Sequence, residues 1–183
     1  MELYVKELIK IGIKNANDYL SHQLIVPKNI ESIGMEAYLR KAQLRSVEFS
    51  DSVTNIGARA FKDCAHLESV HLPDSLQSLG VEVFSGCKTL KAISYPMGLA
   101  HVPERAFFRC NRLIHVTVPA QVRYLGSNAF HGCNRLKYIE IAHDPEFIGE
   151  SLVNKPVIIR CKKGSKVDDY CRTYGYLTDY IEN

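Results

Sequence analysis

Apolar residues recur along most of the chain at a fixed interval of 23 residues. The three most regular columns hold aromatic rings (Tyr38, Phe61, Phe84, Phe107 and Phe130), cysteines (Cys64, Cys87, Cys110 and Cys133) and leucines (Leu44, Leu67, Leu90, Leu113 and Leu136). A fixed period of this length is typical of repeat architectures, in which one unit cannot bury its apolar side alone and depends on its neighbours. The pattern therefore predicts a stack of similar coils.

Each repeat contains one segment that alternates like a strand and one that does not. In "LESVHLP", residues 67–73, Val70 and Leu72 alternate with polar residues, and Pro73 removes a backbone donor where pairing should stop. The following stretch has neither a period of 2 nor one of 3.6, which indicates an irregular arc. We expect a right-handed solenoid of about six coils of 23 residues, with a parallel β-sheet on one face and irregular arcs opposite.

The two ends of the chain depart from the repeat, and the whole of 1–183 is predicted to be a single solenoid domain. Residues 1–23 form either a degenerate repeat, in which Leu3 aligns with a strand position, or a short helical cap. The repeats occupy 24–155, and 156–183 hold the last strand, "PVIIRC", and a C-terminal cap. Ser165 is placed to begin a short helix and Gly175 to end it. The predicted buried face of this helix holds Val167, Tyr170, Cys171 and Tyr174.

The repeat L-x-x-V-x-L-P-x-x-L-x-x-L-G-x-x-x-F-x-x-C resembles the BspA-like leucine-rich-repeat family of bacteria, over about residues 24–149. The resemblance implies a curved solenoid that binds proteins, often on cell surfaces. The chain departs from the pattern where Ser50 and Ala142 replace the proline, Pro103 replaces the glycine and Lys41 replaces the first cysteine. We expect these departures to alter local turns more than the fold.

The repeated glycines and cysteines raise the question of chemistry. Glycines occur once per repeat, at positions 34, 57, 80, 126 and 149, which favours tight turns with positive φ over a phosphate-binding loop. Stacking places neighbouring cysteines of the column roughly 5 Å apart, a distance that a disulfide tolerates. However, side chains in a parallel ladder point the same way and do not converge on a tetrahedral zinc ion. Buried free thiols are the favoured interpretation, with a disulfide or a metal site as alternatives.

Composition narrows the class of function. The chain has 183 residues, of which 46% are hydrophobic and 23% charged, with a net charge of +3, so we expect a folded protein that does not bind nucleic acid. No apolar run approaches the roughly 18 residues of a membrane span. No Cys-His or Ser-His-Asp group is brought together by the repeat, so we predict no enzyme activity, no cofactor and no bound metal. A metal-binding protein or hydrolase that uses cysteine and histidine is the alternative from another class.

The outward positions of the predicted sheet are the candidate binding site for a protein partner. They are Ser69, His71, Ala92, Ser94, His115, Thr117, Tyr138 and Glu140. Solenoids commonly bind through such a face, and His115 and Tyr138 bring adjacent aromatic rings to it. A basic edge is the second candidate surface, formed by Lys88, Lys91, Arg112, Arg135 and Lys137.

Partner identity and location do not follow from the sequence. We expect a monomer that binds a protein and does not insert into a membrane. The first residues show no export signal, so the chain as given has the features of a cytoplasmic protein, whereas the family resemblance implies a cell-surface or secreted one. A fragment of a larger cell-surface adhesin would account for both observations.

Overall fold

Two ladders of parallel strands run along the solenoid in the computed structural model, which describes residues 2–3 and 22–182. The first ladder, called the strand face, contains β2 (Gln23–Ile25), β4 (Ser46–Glu48), β6 (Ser69–His71), β9 (His115–Val118), β11 (Tyr138–Ile141), β13 (Ile158–Cys161) and β14 (Leu177–Tyr180). The second contains β1 (Glu2–Leu3), β3 (Ser32–Ile33), β5 (Asn55–Ile56), β7 (Ser78–Leu79), β8 (His101–Val102), β10 (Tyr124–Leu125) and β12 (Phe147–Ile148). The predicted solenoid with a parallel sheet is confirmed. The arcs are more regular than expected, because each carries a two-residue strand.

The core is built from the columns seen in the sequence. Val70 and Leu72 are buried, as predicted for the inward side of the strand, and Phe61, Phe84, Phe107 and Phe130 are at most 1% exposed. Their rings stack from coil to coil with centroids 5.4–5.7 Å apart, and Tyr38 extends the stack at 5.2 Å from Phe61. Stacked rings of this kind contribute beyond the apolar area that they bury.

Backbone hydrogen bonds hold the arcs in the same register as the rings. The N–H of Phe61 donates to the carbonyl of Val83, and the N–H of Phe84 to that of Ala106, both at 2.9 Å. Residues flanking the ring column adopt left-handed backbone conformations even where they are not glycine, such as Arg59 (φ 56°) and Asp63 (φ 59°). This conformation is unfavourable for L-residues, so the bonds between coils stabilise it.

The repeated glycines serve a different purpose from the one predicted. Glycines with positive φ in the described part of the chain lie at positions 86, 132, 164 and 175, so the expectation of positive φ at 34, 57, 80, 126 and 149 is wrong. A Cβ at Gly126 would lie 2.3 Å from the backbone N of Glu104, and one at Gly80 would lie 2.2 Å from that of Ala58. These positions are glycine because successive coils approach too closely there for a side chain.

Both ladders are interrupted in the same repeat. Gly80 and Gly126 donate their N–H to the carbonyls of Ile56 and Val102, at 2.7 and 2.8 Å. Pro103 occupies the equivalent position and has no N–H to donate to Leu79, which accounts for the missing pairing between β7 and β8. On the strand face, residues 91–96 form no strand, and nothing in the structure explains that second interruption.

The C-terminal cap contains a helix and one more strand than expected. Helix α1 (Lys166–Tyr174) begins where predicted, with Ser165 accepting a hydrogen bond from the N–H of Asp168, and ends at Gly175 in the left-handed conformation (φ 67°). The strand in "PVIIRC" is not the last one, because β14 pairs in parallel beside β13. Strand β13, helix α1 and strand β14 therefore form a strand-helix-strand unit that covers the end of the solenoid.

Asp168 fastens this cap, and the sequence pattern missed it. Its carboxylate is 1% exposed and accepts hydrogen bonds from the N–H of Gly164 (2.8 Å) and the hydroxyl of Tyr180 (3.2 Å). Tyr174, predicted on the buried face, is instead 42% exposed. The carboxylate thus joins the loop before the helix to the final strand.

At the N-terminal end of the chain, Glu2 and Leu3 form strand β1. Leu3 pairs with Ile33 in the second ladder, so its predicted place on the strand face is wrong. Residues 4–21, to which the remaining alternatives of a degenerate repeat or a helical cap apply, lie outside the described residues.

Replacing Gly126 by alanine should destabilise the protein by about 2 kcal/mol or more, because the new methyl group would overlap the backbone of the preceding coil. Gly164→Ala is the control, since that glycine has φ +75° but a Cβ added there would meet no atom within 4 Å, and it should lose about 1 kcal/mol. Urea denaturation measures both values. A Gly126→Ala protein within about 0.5 kcal/mol of wild type, the usual range for surface changes, would contradict the close approach.

Acidification should loosen the cap through Asp168. The backbone N–H of Gly164, with Arg172 and Tyr180, holds the pKa of Asp168 below its ordinary value of 3.8. The ionised form therefore stabilises the fold above that value, and this contribution is lost as the pH falls through the lower folded-state pKa. Asp168→Asn should melt lower at pH 7 and lose less of its remaining stability below pH 4, relative to wild type. Asp169→Asn, at an exposed neighbouring carboxylate, should not reproduce this change.

Candidate protein-interaction surface

The outward side chains of the strand face form two rows, because the strands pair in register. The first row passes through Ser46 and Ser69 on the N-terminal strands and then, beyond the interruption, from His115 to Tyr138 and Ile158. Leu177 on β14 is the final member. The second row begins at Ile25, continues through Glu48 and His71, and ends with four polar side chains: Thr117, Glu140, Arg160 and Asp179. The interruption at residues 91–96 divides the face into two halves.

Six of the eight predicted residues lie on strands of the two halves, whereas Ala92 and Ser94 lie in the interruption, so their predicted place on a strand is wrong. Ser69, His71, Ala92, Ser94, His115 and Thr117 are exposed, whereas Tyr138 and Glu140 are half-buried. His115 and Tyr138 are stacked, with ring centroids 5.6 Å apart and planes inclined by 16°. On the side away from His115, the neighbour of Tyr138 is Ile158.

Arg160 is the main residue of this surface that sequence reasoning missed. Its guanidinium lies over the ring of Tyr138, with Cζ 5.2 Å from the centroid. It also pairs with Glu140 at 2.7 Å and with Asp179 at 3.0 Å. Arg160 follows Glu140 by 20 residues rather than 23, so it does not align in the repeat. Alternation within the predicted strand "PVIIRC" would have placed it on the outward side.

The N-terminal half of the strand face contains a cleft of about 680 Å³, called the acidic cleft. Glu48, Asp51 and Asp74 line it together with two of the predicted residues, His71 and Ser94. Among the described residues none of these three carboxylates takes part in an ion pair. The two halves therefore differ in chemistry, since the first is acidic and the second combines rings with paired charges.

The cysteine column lies in the core. Cys64, Cys87, Cys110 and Cys133 are buried and free, and each thiol donates to the carbonyl of the ring-column residue in the preceding coil at 3.1–3.2 Å. Burial raises the pKa of Cys64 and Cys133 to about 12 and that of Cys87 and Cys110 well above its ordinary value. The predicted burial is confirmed. A protonated buried thiol is a poor nucleophile and a poor metal ligand.

The residues that the structure describes hold neither a cluster suited to a metal ion nor a helix suited to span a membrane. No group of three or more His, Cys, Asp or Glu side chains within 2–3 and 22–182 is arranged to hold a metal ion. No helix in the same ranges is long and apolar enough to cross a membrane.

A profile of the BspA type leucine-rich repeat region matches six copies of the repeat across residues 31–159. The chain belongs to this family. The match confirms the resemblance seen in the repeat. Each ladder contains seven described strands, so the solenoid has about seven turns, one more than the six coils expected. No curated protein matches the chain.

Several solved structures of bacterial leucine-rich-repeat proteins are similar to this chain. A leucine-rich cell surface protein from Faecalibacterium prausnitzii A2-165 is 31% identical over 65% of this chain, with a TM-score of 0.63. The match covers 31% of that protein, so the chain corresponds to less than a third of its length. The T. pallidum leucine-rich repeat protein is 20% identical, covers 90% of this chain and 88% of its own, and has a TM-score of 0.69. A Bacteroides ovatus protein is 23% identical over 88% of this chain and 45% of its own, with a TM-score of 0.60. The last two show the fold alone.

Native Cys87 and Cys110 should react slowly with a thiol reagent, because their thiols are buried and protonated. All six cysteines should react rapidly in denaturant. Reaction kinetics followed by peptide mass spectrometry would assign each site. Rapid labelling of Cys87 or Cys110 in the folded protein, or a mass loss of two hydrogens that maps to a link between them, would contradict the packing role.

Proposed function

We propose that this chain is a non-enzymatic module that binds another protein through the C-terminal half of its strand face. The observation that carries the proposal is the row formed by His115, Tyr138, Ile158 and Leu177. Ile158 is 38% exposed and Leu177 is 56% exposed, and the row continues into the stacked rings of Tyr138 and His115. An accessible row of aromatic and aliphatic side chains is the kind of surface in which binding energy is concentrated.

The charged row beside it supports the same assignment. Arg160 is held by two carboxylates and by the ring of Tyr138, so its guanidinium is ordered before a partner arrives. Ordering in advance reduces the entropy lost on binding. The polar row of Thr117, Glu140, Arg160 and Asp179 would form a rim along the apolar row, which is the usual arrangement at protein interfaces.

The proposal includes the domain organisation and the location of the chain. We treat the repeats and the C-terminal cap as one domain, because Tyr170 donates its hydroxyl to the carbonyl of Gly149 and accepts a bond from the N–H of Leu152. The relative from Faecalibacterium prausnitzii is a cell surface protein, which favours a surface location here as well.

Replacing His115 and Tyr138 together by alanine should weaken binding of the partner by about 1 kcal/mol or more, roughly fivefold, because the change removes the two aromatic rings of the row. The partner is first captured on the wild-type chain from its native environment and identified. Its affinity for wild type and variant is then measured by calorimetry. Circular dichroism should show that the variant remains folded, with a small loss of stability from the lost contact with Arg160.

Phe147→Ala is the matched control, since it removes an aromatic side chain that is 53% exposed and lies on the second ladder. It should leave the affinity unchanged. Lys91→Glu with Arg112→Glu tests the basic edge instead. If this basic-edge variant abolishes partner binding and the aromatic pair does not, the strand face is not the docking surface.

A further inference from the structure

A second cleft lies on the arc side of the later repeats, outside the strand face. Its volume is about 480 Å³, and we call it the basic cleft; its lining includes Lys88, Phe108, Arg109, Asn111, His131 and Asn134. These side chains belong to neighbouring positions of three successive coils. None of the described residues that line the cleft is Asp or Glu. The site is therefore opposite in character to the acidic cleft.

The cleft has fixed walls. The ring of Phe108 stacks on that of His131, with centroids 6.0 Å apart and planes inclined by 9°. The guanidinium of Arg109 lies over the ring of Phe108, with Cζ 5.1 Å from the centroid. Gly132 leaves room for this arrangement, because a Cβ there would lie 2.7 Å from Cγ of Arg109. Arg109 is therefore held in one place and can present its N–H groups to a ligand.

Two buried polar atoms in the lining have no hydrogen-bond partner within the described part of the chain. They are Oδ1 of Asn111 and Nδ1 of His131. Leaving such an atom unpaired costs about 1–3 kcal/mol, and most buried polar atoms in native proteins are paired. Each atom has less than 1 Å² of exposed surface, although its residue lines the cleft. We therefore expect a ligand to bond to them only when the two side chains turn toward the cleft. Oδ1 of Asn111 would then accept a hydrogen bond from the ligand.

The cations of this region also lack partners. Lys88 and Arg109 line the cleft, and Arg112 and Arg135 follow Asn111 and Asn134 in the sequence. None of the four forms an ion pair with a described residue, whereas Lys91 of the same basic edge is neutralised by Glu68 at 2.6 Å. Unpaired cations in successive coils produce a positive potential that continues along the solenoid beyond the cleft. Such a potential suits an extended anion.

We infer that the basic cleft binds an acidic segment of a protein, with a glutamate or aspartate carboxylate against Arg109 and Lys88. A peptide carries a main-chain N–H next to each acidic side chain, so it can supply both the anion and the donor that Oδ1 of Asn111 requires. Arginine forms paired hydrogen bonds with a carboxylate, and its stacking on Phe108 orients it for this. The sugar-phosphate backbone of DNA offers anionic oxygens without such a donor. This site is separate from the strand face and does not depend on the function proposed for it.

The test measures binding of a fluorescent peptide in which glutamate and glycine alternate, by anisotropy at low ionic strength. Wild type should bind it, and Arg109→Gly should weaken binding at least tenfold. Asn111→Ala should weaken it severalfold without any change of charge. Both variants copy residues that other coils carry at these columns, Gly86 and Ala65, so the fold should persist, and thermal melting verifies this.

Lys28→Gln is the control, because it removes one exposed positive charge far along the chain from the cleft, and it should change affinity less than twofold. The His115→Ala, Tyr138→Ala protein should bind the peptide like wild type, which separates this site from the strand face. The inference is overturned if wild type does not bind the peptide, or if Lys28→Gln weakens binding as much as Arg109→Gly. It is also overturned if a sulfated oligosaccharide binds in place of the peptide and Asn111→Ala has no effect.

Discussion

The register of one coil on the next is the constraint on which the rest of this structure depends. Each ring of the aromatic column must lie above the ring 23 residues earlier, and the backbone N–H of the same residue bonds to the following coil. The thiols of the cysteine column donate to carbonyls of that ring column. Ring stacking, thiol bonds and backbone bonds therefore share a single repeat length. An insertion in any one coil would disturb all three at once.

The same constraint explains why the glycine column has no room for a side chain at Gly80 and Gly126. Coils that are close enough for their rings to stack bring backbone atoms together at Gly80 and Gly126, where no Cβ fits. Proline at position 103 removes a donor from the second ladder, and the ladder is interrupted there. The ring stack nevertheless continues through this repeat, from Phe84 to Phe107 at 5.7 Å. The side-chain core is thus more continuous than the hydrogen-bonded sheet around it.

Features that repeat were predictable from the sequence, and features that occur once were not. The buried columns, the strand face and the ends of helix α1 follow from periodicity and from capping residues such as Ser165. The second ladder was missed because a two-residue strand has no alternation to detect. Arg160 and Asp168 were missed because they lie beyond the regular repeats, where a column comparison has no partner. The sequence therefore did not predict that β14 pairs beside β13 and extends both outward rows of the candidate site.

Function in such a fold is confined to positions that the register leaves free. Core columns accept little beyond one size of apolar side chain, whereas outward positions change from coil to coil without disturbing the stack. This freedom allows chemically different surfaces on one solenoid. They are carboxylates and cations without an ion-pair partner among the described residues, at the acidic and basic clefts, and rings beside paired charges on β9 to β14. Unpaired charges of opposite sign on separate faces would repel the wrong partner at each surface as well as attract the right one. The lining of the basic cleft shares no residue with the two rows of the strand face, so a substitution at one proposed site leaves the side chains of the other in place.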